Sequence, residues 1–529
     1  MLNEQFADGA QDSAAIAVQH LLEKTADRWP QSPSVSFEGK TFTWEETYSR
    51  CHHFSLALGG LGVVSGDRVA YLGFNSHWCF ELFFAAPMTG AIVVPVNFRL
   101  SISEVITCLE DAEPVVLLVD EHHHDQAAAI MRTYPSLRVV YAGHGEVPDD
   151  MLGYEELLAR AESIGLSPSG NDDTLAIFYT GGTTGRSKGV MLSHINQFTN
   201  ALGGISWYRM VERETHLLAN PMFHAAAGSR VYTATMTGTH TVILSRFDVG
   251  EVMRLVERYR INTMQIVPTM LQMILDHPQF ADVDLSSLRL ISYGAAPMPV
   301  ALMERALNVL PGVSFAQSYG MTEASPVVTV LDGDDHSLEP QRLARLESVG
   351  RPVFHNHVRI VGAGGGAMPS GAVGEIAVKG SNVMKGYWRA PELTSAVLKQ
   401  GWYYTGDSGY LDEDGYLFLS GRIKDMIVSG GENVYPIEIE NILSRHPDIK
   451  ECAVVGVPHE KWGESVHAVV RLSETSRVTE HDIKDYCRER IAHYKCPTAV
   501  TFVDEPLPVS TINKILKTEI RKMVVRKPK

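Results

Sequence analysis

Residues 180–189 read TGGTTGRSKG, and only Arg186 and Lys188 among them carry charge. Four of the ten are glycine, and Thr180, Thr183, Thr184 and Ser187 bring hydroxyls. Such a segment packs no core and makes a poor helix. Its glycines let backbone N–H groups turn inward on an anion, its hydroxyls add donors, and Lys188 adds a point charge. A clamp for nucleotide phosphates is the chemistry that suits it; a flexible surface loop is the alternative. The commoner phosphate loop, GxxxxGK[ST], needs glycine directly before its lysine and a hydroxyl directly after it. Here Ser187 precedes Lys188 and Gly189 follows, which disfavours a P-loop NTPase.

The stretch instead resembles the signature of the adenylate-forming enzymes, the superfamily of acyl-CoA synthetases, nonribosomal adenylation domains and firefly luciferase. Six further segments follow in that family's order. NPMFHAAAG (220–228) is similar to the block carrying a pocket histidine, and SYGAAPMP (292–299) and QSYGMTEASP (317–326) to the adenine-binding blocks. GWYYTGD (401–407), GRIKDMIVSGGENVYPIEIE (421–440) and LPVSTINKILK (507–517) match the ribose, hinge and C-terminal lysine blocks. The resemblance covers essentially the whole chain. It departs at Ser187 and Asn513, where the family usually has proline and glycine; neither change removes a charged group.

The resemblance implies a two-step ligase. Carboxylate and ATP give acyl-AMP and pyrophosphate; the CoA thiol then attacks to give acyl-CoA and AMP. The first step sets an anion against an anion, so the protein must neutralise charge and align the reactants. By resemblance, Thr180, Gly181, Gly182, Thr183, Thr184, Gly185 and Lys188 grip the triphosphate. Glu323 helps hold Mg²⁺ against it, with Thr180 beside it; outside the motif, a Thr-Glu pair is more often a helix start. Gly294, Ala295 and Ala296 pack on one side of adenine. Gln317, Ser318, Tyr319, Gly320, Met321 and Thr322 supply the other segment, and Tyr319 its aromatic face. Asp407 accepts from the ribose hydroxyls and Arg422 donates, although an aspartate after Thr-Gly is ordinarily a turn residue. Lys514, alone a solvated surface lysine, swings in to stabilise charge between the carboxylate and the α-phosphate. Lys424 lies in the hinge (422–425) on which a C-terminal domain rotates. After rotation Ser429, Gly430, Gly431 and Glu432 line the channel for the CoA thiol.

For the acid, His224 gates or polarises the carboxylate end of the pocket, against the alternative of a packed histidine. Ala225 and Gly228 beside it, with Gly320 and Ser325, leave room for an acyl group, a pattern equally compatible with close helix packing. PMFHAAAG offers no aspartate for an α-amine, so a plain hydrophobic carboxylate is favoured: fatty acids first, then aryl or arylpropenoic acids, then short functionalised acids. CoA is the expected acceptor. A carrier-protein-loading enzyme and a non-catalytic acyl-nucleotide-binding relative are the alternatives, the latter disfavoured because Lys188, Glu323, Asp407, Arg422 and Lys514 are all present.

Three other constellations carry little. His122, His123 and His124 are consecutive, and neighbours diverge too far to share a metal, so a solvated loop is expected. His52 and His53 fail in the same way. Ser193 and His194 are adjacent without a GxSxG elbow, so they make no catalytic dyad.

Elements able to position these residues are visible in the apolar patterning. VVLLVD (115–120), LAIFYT (175–180), TVILS (241–245) and RLISYG (289–294) read as buried strands, and VGEVMRLVERYR (249–260) as a helix between strands. This alternation predicts layered α/β architecture with largely parallel sheets. At 529 residues at least two domains are expected. The expected division is an N-terminal domain over 1–421, with a β-subdomain from about 349 to 421, and a small mobile α+β lid over 426–529. A net charge of −16 argues against nucleic acid as a partner. No secretory signal is visible, and the run Leu82 to Phe98 is broken by Pro87, Gly90 and Pro95, so a buried segment is expected rather than a membrane span. Transient membrane contact by the basic tail (517–529) is a weaker reading than a solvated helix end. Six scattered cysteines suit a cytoplasmic protein with reduced thiols. A homodimer is compatible with the resemblance.

Overall fold

The structure, a computed structural model, describes residues 16–180, 187–430, 432–509 and 515–525. The apolar runs form strands Val116–Asp120, Thr174–Thr180, His240–Ile243 and Leu290–Gly294, and the amphipathic stretch forms helix Val249–Tyr259. Every residue of Val116–Asp120 is buried, as a continuous apolar strand covered on both faces must be. The run from Leu82 belongs to helix His77–Met88 and strand Ile92–Val96, both buried throughout. Among the described residues no helix is long and apolar enough to cross a membrane.

Two large sheets carry the first 350 residues. In the nine-stranded sheet, Thr215–Leu218, His240–Ile243, Thr263–Ile266, Leu290–Gly294 and Ser314–Gly320 run parallel. In the eight-stranded sheet, Arg68–Leu72, Ile92–Val96, Val116–Asp120 and Arg138–Ala142 do the same, and Thr174–Thr180 joins them in parallel beside Ile92–Val96. Crevices outside the C-terminal ends of such strands are where α/β folds bind ligands. Thr180, Gly294 and Gly320 are each the last residue of one such strand. The layered α/β class is as the sequence predicts.

From residue 356 the texture turns antiparallel. Asn356–Val361, Gly374–Gly380, Trp402–Leu411 and Leu417–Arg422 form most of a five-stranded sheet. A last sheet of Ile427–Ser429, Glu432–Val434, Ile449–His459, Gly463–Leu472 and Ala499–Phe502 has its own core around Val434, Ile439, Val454, Val466 and Ile483. All six cysteines are free thiols, five of them buried.

The histidine run departs from its reading as a solvated loop. His122 and His124 are at least partly exposed, but His123 is buried and its Nδ1 lies 2.5 Å from Asp120 Oδ1. Asp120 ends a parallel strand, and its carboxylate also accepts the Phe74 N–H at 2.7 Å. The acid at the strand end draws the middle histidine inward. Ser193 and His194 are structural, as expected. Ser193 caps helix His194–Trp207, and His194 takes the Val18 N–H and meets the Ser169 hydroxyl.

The N-terminal helices are tied by a buried charge network. Arg50 lies 2.6 Å from Glu81 and 2.7 Å from Glu155, and the Tyr154 hydroxyl donates to Glu81 at 2.6 Å. Burial raises the pKa of Glu81, and Arg50 opposes that shift. Removing one partner from a buried pair strands the other charge and costs roughly 3–5 kcal/mol. Arg50→Met is therefore expected to lower the urea midpoint strongly at neutral pH. Its effect should shrink as the pH falls toward the raised pKa of Glu81, because a protonated carboxyl no longer needs the cation. A loss independent of pH would count against this account.

Candidate active site

The two ends of the glycine-rich stretch, Thr180 and Lys188, belong to paired strands. Thr174–Thr180 and Lys188–Ser193 pair antiparallel with Thr180 opposite Lys188. Gly181, Gly182, Thr183, Thr184 and Gly185 lie outside the described residues. A loop that returns as a strand also differs from the P-loop, which opens a helix. The Lys188 ammonium sits 5.2 Å from the centroid of the Tyr387 ring. The Tyr387 hydroxyl donates to Glu323 Oε1 at 2.9 Å. Burial first, and then the Glu323 charge, push the Tyr387 phenol up, so it stays a donor. The short strand Gly386–Tyr387 adds to the edge of Lys188–Ser193, which brings this tyrosine to the clamp. Sequence reasoning missed Tyr387; its only signal is an aromatic pair inside GYWR (386–389).

Glu323 stands in a single 3-10 turn, Thr322–Ala324, whose chain also meets Met384: the Met384 N–H donates to the Glu323 carbonyl at 2.9 Å. The turn is followed by a cis Ser325–Pro326 bond. A Cβ on Gly320 would fall 1.8 Å from the Pro326 carbonyl oxygen. Glycine at 320 is required by this close return of the chain. Gly228 behaves alike: its Cβ would meet the Met222 carbonyl at 2.7 Å and the Phe178 ring at 3.0 Å. Ala225 is buried beside it. Of the two readings of these small residues, helix packing is the one this geometry favours at 228. Ser325 is fully buried, and its Oγ has no hydrogen-bond partner among the described residues.

Asp407 and Arg422 face each other across paired strands, with Arg422 Nε 2.6 Å from Asp407 Oδ1. Tyr319 donates its hydroxyl to Asp407 Oδ2 at 2.7 Å. The Tyr319 ring is 9% exposed and packs in a cluster with Val328, Ile360, Ile376 and Leu417. In this conformation it anchors Asp407 and shows little open face. Gly294 pairs with Ser318, while Ala295 and Ala296 are exposed beyond the strand end. Gln317 is buried and accepts from the Tyr293 hydroxyl at 3.3 Å, and Met321 and Thr322 are partly buried.

Lys424 lies in the 3-10 turn Ile423–Asp425. Burial lowers its pKa, and Arg422 and Lys188 lower it further against the opposing pull of Asp425 and Asp407. The expected hinge residue therefore stands within the field of Lys188. Ser429 and Glu432 pair across the hairpin Ile427–Ser429/Glu432–Val434. Gly430 follows Ser429 and donates its N–H to the Trp462 carbonyl at 2.9 Å. Gly431, Asn513 and Lys514 lie outside the described residues.

His224 is half-buried, and burial, with help from nearby Arg99, pulls its pKa down to about 4. Its ring begins an aromatic row: His224 to Phe223 at 4.2 Å, Phe223 to Phe98 at 5.1 Å, and Phe98 to Phe74 at 4.9 Å between centroids. The three phenylalanines come from distant segments, so nothing local in the sequence announces the row.

The whole chain was compared with known proteins. Residues 22–388 match the AMP-binding enzyme family, and residues 438–514 match the AMP-binding enzyme C-terminal domain. A feruloyl-CoA synthase from Amycolatopsis is 42% identical over 93% of this chain and 96% of its own. The long-chain-fatty-acid–CoA ligase FadD13 of Mycobacterium tuberculosis is 36% identical over 88% of this chain and 89% of its own. The o-succinylbenzoate CoA synthetase of Bacillus subtilis, solved with its acyl-adenylate intermediate, superposes with a TM-score of 0.82 at 30% identity, covering 96% of this chain and 98% of that one. With these matches and the paired Asp407 and Arg422 in hand, the chain belongs to the AMP-binding enzymes, the adenylate-forming superfamily, as an acid–thiol ligase of its acyl- and aryl-CoA synthetase branch.

Proposed function

We propose that this enzyme activates an aromatic carboxylic acid of the arylpropenoic type, consuming ATP and CoA and releasing AMP and pyrophosphate. The row His224–Phe223–Phe98–Phe74, tilted at its first contact and edge-to-face at the next two, carries this reading, because flat rings suit an aryl group. The greater identity to a feruloyl-CoA synthase than to a fatty-acid ligase supports it. A fatty acid, first choice on the sequence alone, becomes the second reading.

In this reading the Thr180–Lys188 hairpin holds the β- and γ-phosphates, and Asp407 with Arg422 holds the ribose. Glu323 is a hard carboxylate beside the clamp, and Mg²⁺ characteristically binds one or two carboxylates plus substrate phosphates. It therefore fits as the protein ligand of a Mg²⁺ that, when bound, offsets triphosphate charge, with the Thr180 hydroxyl close by. Gly294 to Ala296 and Gln317 to Thr322 border the adenine. His224 meets the carboxylate as a neutral imidazole, since its proton is lost well below pH 7. Lys514 bridges carboxylate and α-phosphate during adenylation. Residues 422–425 serve as the hinge between a unit ending at 421 and a lid beginning at 426, and the hairpin from Ser429 to Glu432 meets CoA after rotation.

The direct test is AMP release over a panel of arylpropenoic, fatty and short functionalised acids with ATP and CoA. Arylpropenoic acids are expected to give the highest kcat/KM; fatty acids leading the panel would reverse the assignment. Lys514→Ala is expected to abolish carboxylate-dependent pyrophosphate exchange while still converting supplied acyl-adenylate and CoA to thioester. Equal loss of both half-reactions would refute that division of labour. Because His224 titrates at about 4, pyrophosphate exchange should show no inflection between about pH 5.5 and 7.5 from this group. An inflection near the ordinary histidine pKa that vanishes in His224→Gln would overturn the neutral-imidazole assignment.

A further inference from the structure

Arg230 opens helix Arg230–Met236, six residues beyond His224. It is only 6% exposed, yet it enters no ion pair among the described residues. Its one hydrogen bond there is a 3.5 Å contact with the Met210 thioether, and its guanidinium lies 4.9 Å from the Tyr208 ring centroid. The Glu214 carboxylate is near enough to favour the Arg230 charge but is already held by Arg289 at 2.5 and 2.8 Å. His216, which also feels Arg230, is kept neutral by burial. Burial lowers the Arg230 pKa, but a guanidinium does not give up its proton in a protein. The fold therefore maintains a buried cation with no protein anion to match it, an arrangement that is costly unless something else supplies the partner.

A neighbouring group lacks a partner as well. Ser229 Oγ is buried without a hydrogen bond among the described residues, and the buried Tyr208 phenol has the Ser318 side chain as its polar neighbour. Tyr208 packs against Leu290 and Ala316, on the two strands that end at Gly294 and Gly320. Its hydroxyl lies toward Ser318. Arg230 and Tyr208 thus stand between the segment that begins at His224 and the strands that end at Gly294 and Gly320. His224 precedes helix Ala225–Gly228 and Arg230 opens the next, so six residues at helical rise place Arg230 roughly 9 Å along the chain from His224. That span is comparable to an arylpropenoate measured from its carboxyl carbon to a substituent on the far side of the ring. The Arg230 guanidinium and the Ser229 hydroxyl both donate and have no oxygen acceptor among the described residues, so the missing group is an acceptor oxygen.

We propose that Arg230, with Tyr208, is a specificity-determining residue that receives an acceptor oxygen on the acyl group remote from the reacting carboxylate, either a ring phenol oxygen or a second carboxylate. This rests on the aryl-acid reading above and specifies what that acid carries.

The test compares kcat/KM for AMP release with cinnamate, 4-hydroxycinnamate and 4-carboxycinnamate, in wild type and in Arg230→Met, which keeps chain length and removes charge. The wild type is expected to prefer one oxygenated acid over cinnamate at least about tenfold. Arg230→Met should lose about ten- to a hundredfold on that acid, the range for a hydrogen bond to a charged group, and keep cinnamate within about threefold. Which acid leads distinguishes phenol from carboxylate. Equal loss on all three acids, or a wild type that prefers cinnamate, overturns the proposal. If Arg230→Met does not fold, Tyr208→Phe and Arg230→Lys carry the same comparison. If the wild type releases AMP with fatty acids only, the aryl reading fails by itself. Arg230 is then tested with ω-carboxy against plain fatty acids of equal length, where preference for the plain acid overturns it.

Discussion

Three parts of the chain meet on one carboxylate. Asp407 belongs to the antiparallel sheet, Tyr319 to the edge of the nine-stranded sheet, and Arg422 to the last strand before the C-terminal unit. An aspartate held by a phenol at 2.7 Å and a guanidinium at 2.6 Å is fixed in orientation. The junction decides where the small sheet sits on the large one and where the chain leaves toward the C-terminal unit. Any movement of residues beyond 422 begins from a point anchored to strand Ser314–Gly320 of the large sheet.

Around that point the site is organised by sign. Lys188, Arg422 and Lys424 share one field, and Asp407 and Glu323 lie within it. A triphosphate brings more negative charge than two carboxylates, so a site with surplus cations suits it. The parallel strands end there because βαβ winding places strand ends along one edge. Glycine at 320 then lets the chain fold back closely enough to present Glu323.

Much of this was legible in the sequence. Strands of continuous apolar residues and the ordered glycine-rich, TGD and GRIKD blocks gave class and family, because buried parallel strands and anion-binding loops tolerate few residue types. What stayed hidden depends on long-range register. Tyr387 acts through a two-residue strand pairing across about two hundred positions and resembles any buried aromatic. Phe74, Phe98 and Phe223 form a row only after folding. Gly228 and Gly320 are required by the close approach of Met222, Phe178 and Pro326, contacts that no local pattern announces. His123 looked solvated because its partner, three residues back, ends a buried strand.

Tyr387 has one more consequence. A lysine and a glutamate left alone in a cleft would neutralise each other, and any anion or cation bound there would first have to break their salt bridge. The phenol stands between them, giving its face to Lys188 and its hydroxyl to Glu323. It acts as an insulator that engages both charges while cancelling neither.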